Sequence, residues 1–308
     1  MNNNPLISIV IPYFNRPEKL IRCVNSVKNQ TYKNYEIIIV DDCSETIFPD
    51  LNCEYTYIRN DFNKGPGASR NAGMDVAKGE FIVFLDSDDY WDSKYLEIMV
   101  TTFKQSGSQN VAFAYCNTIT FDEDNNTQNR RTKRIFQKTI LPNILMEGRS
   151  WSTSSCLWNF NLIKNVRWEE FYSWEDYIFD IKVAIKHNEI IPVALDLVYY
   201  DLQGIDKLSK QVNSFIIIEK SKALNCIVKY TKYSSFFNEE LRLKLRNLVL
   251  SNCIHTHHHV SKPKENYKRN IQTLKYVSSA FFIFFAKLGV SLNNIHGIRI
   301  LNFLKKSI

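Results

Sequence analysis

Three carboxylates crowd into four residues at Asp86-Ser87-Asp88-Asp89. They follow Gly79-Glu80-Phe81-Ile82-Val83-Phe84-Leu85, a short apolar run that reads as a buried strand. At the carboxyl end of a parallel strand such side chains project into the crevice where open α/β sheets bind ligands. Like charges this close repel one another. A hard divalent cation, Mn²⁺ or Mg²⁺, would neutralise them and keep coordination sites open for phosphate oxygens. The alternative is a solvated acidic turn that caps the next helix through Asp92 or Ser93.

The elements that must position these residues are legible in the first ninety positions. Leu6 to Ile11 reads as a strand, and Pro17 suits the first turn of a helix. Leu20, Cys23, Val24 and Val27 share one helical face, so residues 17–29 read as an amphipathic helix. Tyr35 to Val40 is a second strand, ending at Asp41-Asp42, and Tyr55 to Ile58 a third. Asn63-Lys64-Gly65-Pro66-Gly67 breaks the chain, and Ala68 to Lys78 reads as a helix leading into the acidic strand. This order implies an α/β fold with a doubly wound, mostly parallel sheet and right-handed crossovers. A helix is expected at about 93–105 and a strand at about 111–116. Residues 125–138, polar and basic, read as a surface loop, and the pattern beyond about 209 is helical.

Four signals occur in order: Ser8-Ile9-Val10-Ile11-Pro12-Tyr13-Phe14-Asn15-Arg16, Val40-Asp41-Asp42-Cys43-Ser44, Asn63-Lys64-Gly65-Pro66-Gly67-Ala68-Ser69-Arg70-Asn71-Ala72-Gly73, and Phe84-Leu85-Asp86-Ser87-Asp88-Asp89. At these residues the chain resembles the family 2 glycosyltransferases, inverting enzymes of the Rossmann-like GT-A fold. The resemblance covers residues 6–92 and extends more faintly to about 200. It implies that Pro12 and Tyr13 contact a nucleoside, that Asp42 accepts from a uracil N–H, and that Arg70 lies near the base and phosphates. It further implies that Asp86, with Ser87 beside it, faces the ribose and shares the metal with Asp88, the direct ligand. Asp89 is left between a supporting and an acceptor-side role. A P-loop is excluded, since no Gly-Lys-Ser/Thr follows the glycines.

Sugar transfer with inversion needs one general base and no enzyme nucleophile. Trp174-Glu175-Asp176 opens a helical stretch through Phe179, Val183 and Ala184, and resembles the family's Glu-Asp pair. By that match Asp176 is the base and Glu175 contacts donor or acceptor hydroxyls. The competing reading is two carboxylates favouring a helix N-terminus. Trp174 is open between a sugar platform and a core residue.

The implied reaction moves a hexose or N-acetylhexosamine from a nucleotide diphosphate sugar, UDP-linked, to a glycan acceptor carried on polyprenyl diphosphate, as in bacterial O-antigen and capsule synthesis. A processive synthase is not indicated, because no Gln-x-x-Arg-Trp motif occurs. The alternative is a non-catalytic nucleotide-sugar or glycan binder that keeps the fold.

The rest of the chain bounds the setting. Seven scattered cysteines without a C-x-x-C read as reduced thiols. Met1 to Pro5 shows no basic and apolar leader, so a cytoplasmic protein is expected. Residues 1–208 read as the catalytic domain and 209–308 as a helical, basic region, with every candidate site residue before residue 177. Residues 210–308 hold 17 Lys and Arg against 4 Asp and Glu, a net +13, while residues 1–209 are net −6. The basic run leads into Val277 to Ala286, apolar but well short of the ~20 residues that span a bilayer. That pattern suits an interfacial element on an anionic membrane surface, peripheral at the inner face; the alternative is a helix packed on the catalytic domain. His255, His257, His258 and His259 lack accompanying carboxylates and do not read as a metal site. The basic residues are not interleaved with a stacking platform, so nucleic acid is not an expected partner.

Overall fold

The computed structural model describes residues 4–122, 127–130, 136–201, 213–260, 263–278 and 295–306, together with positions 283, 286, 287 and 290. The strands are β1 (Ile7–Tyr13), β2 (Tyr35–Asp41), β3 (Thr56–Arg59), β4 (Phe81–Phe84), β5 (Asp89–Trp91), β6 (Val111–Asp122), β7 (Thr127–Arg130), β8 (Cys156–Asn159) and β9 (Glu189–Asp201). They form one sheet in the order β3-β2-β1-β4-β8-β6-β9-β5, with β7 added to β6. The first four strands are parallel, Ile7 pairing with Tyr35 on one side and Phe81 on the other. Beyond β4 the sheet is mixed: β8 runs antiparallel to β4 and β6, whereas β9 is parallel to β6. The chain leaves β1 for β2 and β3, then crosses back to β4 on the other side of β1. That reversal of direction opens a crevice at the carboxyl ends of β1 and β4.

Residue alternation sets the two faces of the sheet. Val10, Ile38, Ile82 and Phe84 enter one core cluster, while Ile9, Ile11, Ile37, Ile39 and Val83 enter another. The second cluster is closed by α1 (Pro17–Lys28) and α3 (Tyr95–Ser106) through Leu20, Val24, Leu96 and Phe103. On the other face lies α2 (Pro66–Val76), which begins at its proline, two residues before the expected start, because proline is preorganised for a helix's first position. A Cβ on Gly73 would lie 2.3 Å from Val10, so only glycine lets α2 rest this close to β1.

Short helices α4 (Asn143–Met146) and α5 (Phe160–Ile163) precede α6 (Glu175–Ala184). Four described helices follow in the C-terminal region: α7 (Ser214–Thr231), α8 (Glu239–His259), α9 (Lys264–Leu274) and α10 (Ile295–Lys306). Leu224, Val228, Leu245, Val249, Leu274, Leu301 and Leu304 belong to the same buried cluster as Val10 and Phe179. Val277 and Ala286 are buried in it as well. The region therefore shares the core of the sheet, each fully buried leucine or valine contributing roughly 1.5–3 kcal/mol.

One sequence expectation needs adjustment. Residues 127–130 form strand β7 on β6 rather than part of a loop, since the long β6 offers an edge that even polar residues can extend. Arg131, Lys133 and Arg134 lie outside the described residues, as do Phe281, Phe282, Phe284 and Phe285 of the apolar run. No described helix is long and apolar enough to cross a membrane.

Candidate active site

The ends of β1 and β2 build one wall of the crevice. Tyr13 is buried, and its hydroxyl lies 3.1 Å from Thr46 Oγ1. Asp42 follows β2 directly, its N–H donating to the Tyr13 carbonyl at 2.8 Å. Its carboxylate accepts from the N–H groups of Lys64 at 2.9 Å and Gly65 at 2.7 Å, and from Asn60 Nδ2 at 2.7 Å. Asp42 thus fastens the turn that leads into α2. Gly65 adopts φ +85°, open to glycine, and a Cβ there would press within 3.3 Å of the Tyr172 ring. Neighbouring Asp41 is turned away from this turn, onto Tyr57, Arg59 and Ser44. Burial alone would raise its pKa, but those hydrogen bonds together hold it below the usual carboxylate range.

The acidic strand end divides its carboxylates among different partners. Asp86 accepts from Arg70 Nη2 at 2.7 Å, Asp88 from Arg16 Nη1 at 3.0 Å, and buried Asp89 from Ser154 Oγ at 2.6 Å. Ser87 is buried between them. The capping alternative fails in its details. The N-cap of α3 is Lys94, which makes no side-chain cap, and Asp92 instead accepts from the Lys94 N–H two residues on. Among the described residues no three His, Cys, Asp or Glu side chains converge as a closed metal cage. Asp86 and Asp88 keep 34% and 16% side-chain exposure on the cleft. One or two carboxylates beside a phosphate-bearing ligand is the donor set that suits Mg²⁺ or Mn²⁺, so these residues fit such an ion.

The helix α6 supplies the opposite wall. Trp174 precedes it at φ +63°, a left-handed conformation that is strained for a bulky residue and typical of functional sites. It turns Glu175 and Asp176 into the cleft. Arg70, itself buried, donates to Glu175 Oε1 at 3.1 Å while holding Asp86, and its guanidinium lies 4.4 Å from the Trp168 ring centroid. Burial and the nearby Asp176 charge outweigh Arg70 and push the Glu175 pKa up to about 7. Asp176 accepts from Arg149 Nη1 at 2.5 Å. Arg149 also donates from Nε to Asp180 at 2.8 Å, and Trp151 Nε1 donates to the same oxygen at 2.9 Å. Asp180 is fully buried, and desolvation raises its pKa to about 6 against the pull of Arg149.

These groups face one cleft of about 710 Å³, lined by Pro12, Tyr13, Asp42, Arg70, Asp86, Ser87, Asp88, Glu175 and Asp176. Every residue singled out from the sequence therefore meets in one place. Sequence reasoning missed Arg16, Arg149 and Asp180. Asp180 stands one helical turn after Asp176, a spacing that could have flagged it; Arg149 has no such local signal. It also missed a third wall, since Ile216, Ile217 and Lys220 of α7 and His255 of α8 line the cleft, well beyond residue 177. Trp174 is half-buried on the cleft, stacked on Tyr177 with centroids 5.2 Å apart.

Comparison with known proteins bears on the family and the fold. The sequence model described as Glycosyl transferase family 2 matches residues 8–163, just over half the chain. A putative colanic acid biosynthesis glycosyl transferase of Escherichia coli K12 is 31% identical over 205 residues, 61% of this chain and 70% of its own. An Escherichia coli UDP-Glc:alpha-D-GlcNAc-diphosphoundecaprenol beta-1,3-glucosyltransferase, WfaP, is 36% identical over 117 residues; the match spans 36% of this chain and only 45% of that relative. Among solved structures, S. aureus TarS 1–349 in complex with UDP-GlcNAc superposes with TM-score 0.71 at 17% identity, covering 98% of this chain and 90% of TarS. A Pyrobaculum calidifontis mannosyltransferase in complex with GDP-Man and Mn²⁺ gives 0.56 at 13% identity, covering 98% and 84%. With the ordered motifs, the crevice at the strand reversal and the family match in agreement, the chain belongs to the family 2 glycosyltransferases and carries their GT-A fold.

Proposed function

We propose that this glycosyltransferase moves a hexose or N-acetylhexosamine from a UDP-sugar to a glycan acceptor on polyprenyl diphosphate, with inversion, in the synthesis of a surface polysaccharide. The observation that carries the reading is the Arg70 bridge. One buried guanidinium ties Asp86, at the end of the acidic strand, to Glu175, at the start of α6. It brings a carboxylate of the acidic strand end and one of α6, from two walls of the cleft, onto a single side chain. The names of relatives that act on diphosphoundecaprenol-linked sugars support the acceptor class. UDP-GlcNAc in a structural neighbour supports the donor class.

In this reading Pro12, Tyr13 and Asp42 receive the nucleoside, and Asp88 with Asp86 would hold Mn²⁺ or Mg²⁺. A bound ion would supply charge neutralisation at the diphosphate. Asp176 takes the proton from the acceptor hydroxyl as its oxygen attacks the anomeric carbon, and the bond to the diphosphate oxygen breaks. Arg149 holds the Asp176 carboxylate in place. Asp180 anchors Arg149 from the buried side, leaving its reach fixed. No carboxylate is assigned as a nucleophile, so a single displacement converts an α-linked donor into a β-linked product.

The basic C-terminal region would hold the enzyme on the inner face of the cytoplasmic membrane, next to its lipid-linked acceptor. The net +13 of residues 210–308 supports this, as does a groove along α9 where Lys264, Lys268, Lys275 and Lys287 surround Tyr267, Ile271 and Val290. The test is a transfer assay with a panel of nucleotide sugars and a synthetic undecaprenyl-diphosphate-linked sugar. Expected is UDP release coupled to one added hexose or N-acetylhexosamine, with the new linkage β by its anomeric proton coupling. Nucleotide-sugar binding without hydrolysis or transfer would instead identify a binding protein.

A further inference from the structure

We propose that α7 carries the subsite for the diphosphate and first isoprenoid units of the acceptor, with Lys220 binding the phosphate and Ile216 and Ile217 lining the isoprenoid. This deepens the lipid-linked acceptor reading above and rests on it.

The cations of the cleft are not equivalent. Arg16 is committed to Asp88, Arg70 to Asp86 and Glu175, and Arg149 to Asp176 and Asp180. Among the described residues Lys220 lines the same cleft with no carboxylate on it; its ammonium lies 4.7 Å from the Trp174 ring centroid. The side chain is half-buried, and burial lowers its pKa from the ordinary value. A desolvated ammonium that lacks a counter-ion is stabilised by an anion. Trp174 leads directly into Glu175 and Asp176, so an anion on Lys220 sits beside the wall that carries the proposed base. The Asp86 and Asp88 end of the cleft serves the donor. Ile216, Ile217 and Lys220 lie within about one turn of α7, so a cation and an apolar strip face the cleft together. A sugar phosphate or free pyrophosphate needs only the cation. A phosphate joined to an isoprenoid needs both.

α7 is held in register with the catalytic walls. Glu219, buried beside Lys220, accepts from the Tyr172 N–H at 3.1 Å, and Tyr172 packs its ring on Gly65. The subsite is therefore fixed relative to the donor turn.

The experiment measures binding of farnesyl diphosphate, inorganic pyrophosphate and UDP to the full chain by calorimetry. The proteins are the parent, Lys220→Met, Lys220→Arg and Ile216→Ser. Met keeps the half-buried stem and removes the charge; thermal unfolding and UDP binding report that the fold is intact. Loss of one charge-assisted hydrogen bond should weaken farnesyl diphosphate by about ten- to hundredfold in Lys220→Met and spare UDP, with Lys220→Arg restoring most of the affinity. Ile216→Ser should weaken farnesyl diphosphate and leave pyrophosphate unchanged. Equal farnesyl diphosphate affinity in parent and Lys220→Met overturns the proposal, as does no binding to the parent. A parallel loss of UDP affinity would place Lys220 on the donor instead and also overturn it. Failure of the acceptor reading shows separately, as a parent that binds farnesyl diphosphate through Lys220 yet transfers nothing to the undecaprenyl-linked sugar.

Discussion

Glu175→Gln should make the protein progressively more stable than its parent as pH rises from about 4.5 to above 7. The folded pKa of Glu175 is raised from an ordinary value of 4.5 to about 7, first by desolvation and then by the Asp176 charge. A carboxyl whose folded pKa lies above its unfolded one contributes stability that is full below the unfolded pKa. That contribution fades as pH climbs through the folded pKa, because the unfolded chain releases its proton first. The displacement corresponds to about 3 kcal/mol across the window. Glutamine keeps the shape and an oxygen that can still accept from Arg70 Nη1, but it does not titrate. Asp180, raised to about 6, titrates in both proteins and cancels in the difference. The assay is urea unfolding of both proteins at half-unit steps from pH 4.5 to 8, read as the difference in unfolding free energy. Expected is a difference that grows by about 3 kcal/mol toward high pH, most steeply between about pH 5 and 7, and flattens toward about pH 8. A flat difference, or one that grows toward low pH, would refute the reasoning: Arg70 would then hold Glu175 ionised despite its burial.

Asp176→Asn should lower kcat by ~10²–10⁴-fold with little change in UDP affinity, because it removes the proton acceptor while leaving an amide oxygen that can still accept from Arg149. Turnover within threefold of the parent would move the base elsewhere, with Glu175 the next to replace. UDP should bind more tightly with Mn²⁺ or Mg²⁺, and Asp88→Ala should remove most of that gain; calorimetry in chelator and in metal separates the two, and full transferase activity in excess chelator would reject the metal. Truncation after residue 294 should destabilise the protein by several kcal/mol, since it removes Leu301 and Leu304 from the core at roughly 1.5–3 kcal/mol each; an unchanged melting temperature would contradict that packing. The full chain should bind vesicles more strongly as anionic lipid increases, at ~1 kcal/mol per basic residue near the surface, and less strongly as salt shortens the Debye length. Indifference to anionic vesicles at low salt would leave the basic region a structural one.

Local periodicity was enough to read β1, β2, α1 and the acidic strand end, because each is set by residues within one or two turns of one another. Four apolar residues at helical spacing define α1, and an unbroken apolar run defines β4. The acidic residues themselves announced the cleft. What escaped is what pairs across the chain. Arg70 reaches Glu175 over 105 residues and Arg149 reaches Asp176 over 27, and neither leaves a spacing signature. Strand β7 escaped because its polar residues carry no apolar alternation, and what marks it as a strand is its backbone pairing to β6. The α7 wall escaped for a third reason. Its helical pattern was visible, but an amphipathic helix does not reveal which neighbour its polar and apolar groups face. Lys220 reads as one basic residue among seventeen until the fold sets it over Trp174.

The cleft is wired as alternating charges: Asp86, Arg70 and Glu175 in one chain, Asp176, Arg149 and Asp180 in another, with Arg16 on Asp88 beside them. Buried ion pairs of this kind are weak sources of stability, because desolvation offsets most of the attraction. Their value here is positional. Arg70 belongs to α2, Asp86 follows β4 and Glu175 opens α6, so one guanidinium fixes three elements against one another at the point where donor and acceptor would meet. Arg149 does the same for the segment before Trp151 and for two turns of α6. The arrangement also leaves an asymmetry. Carboxylates and guanidinia that neutralise each other attract an incoming anion weakly. In the proposed reaction an incoming diphosphate would be drawn to charge that is not already answered: that of a divalent cation, which Asp88 and Asp86 would hold, and that of Lys220 on the α7 wall. Two anionic ligands could then occupy the cleft without competing for the same cation, as the proposed transfer between two diphosphate-bearing substrates would require.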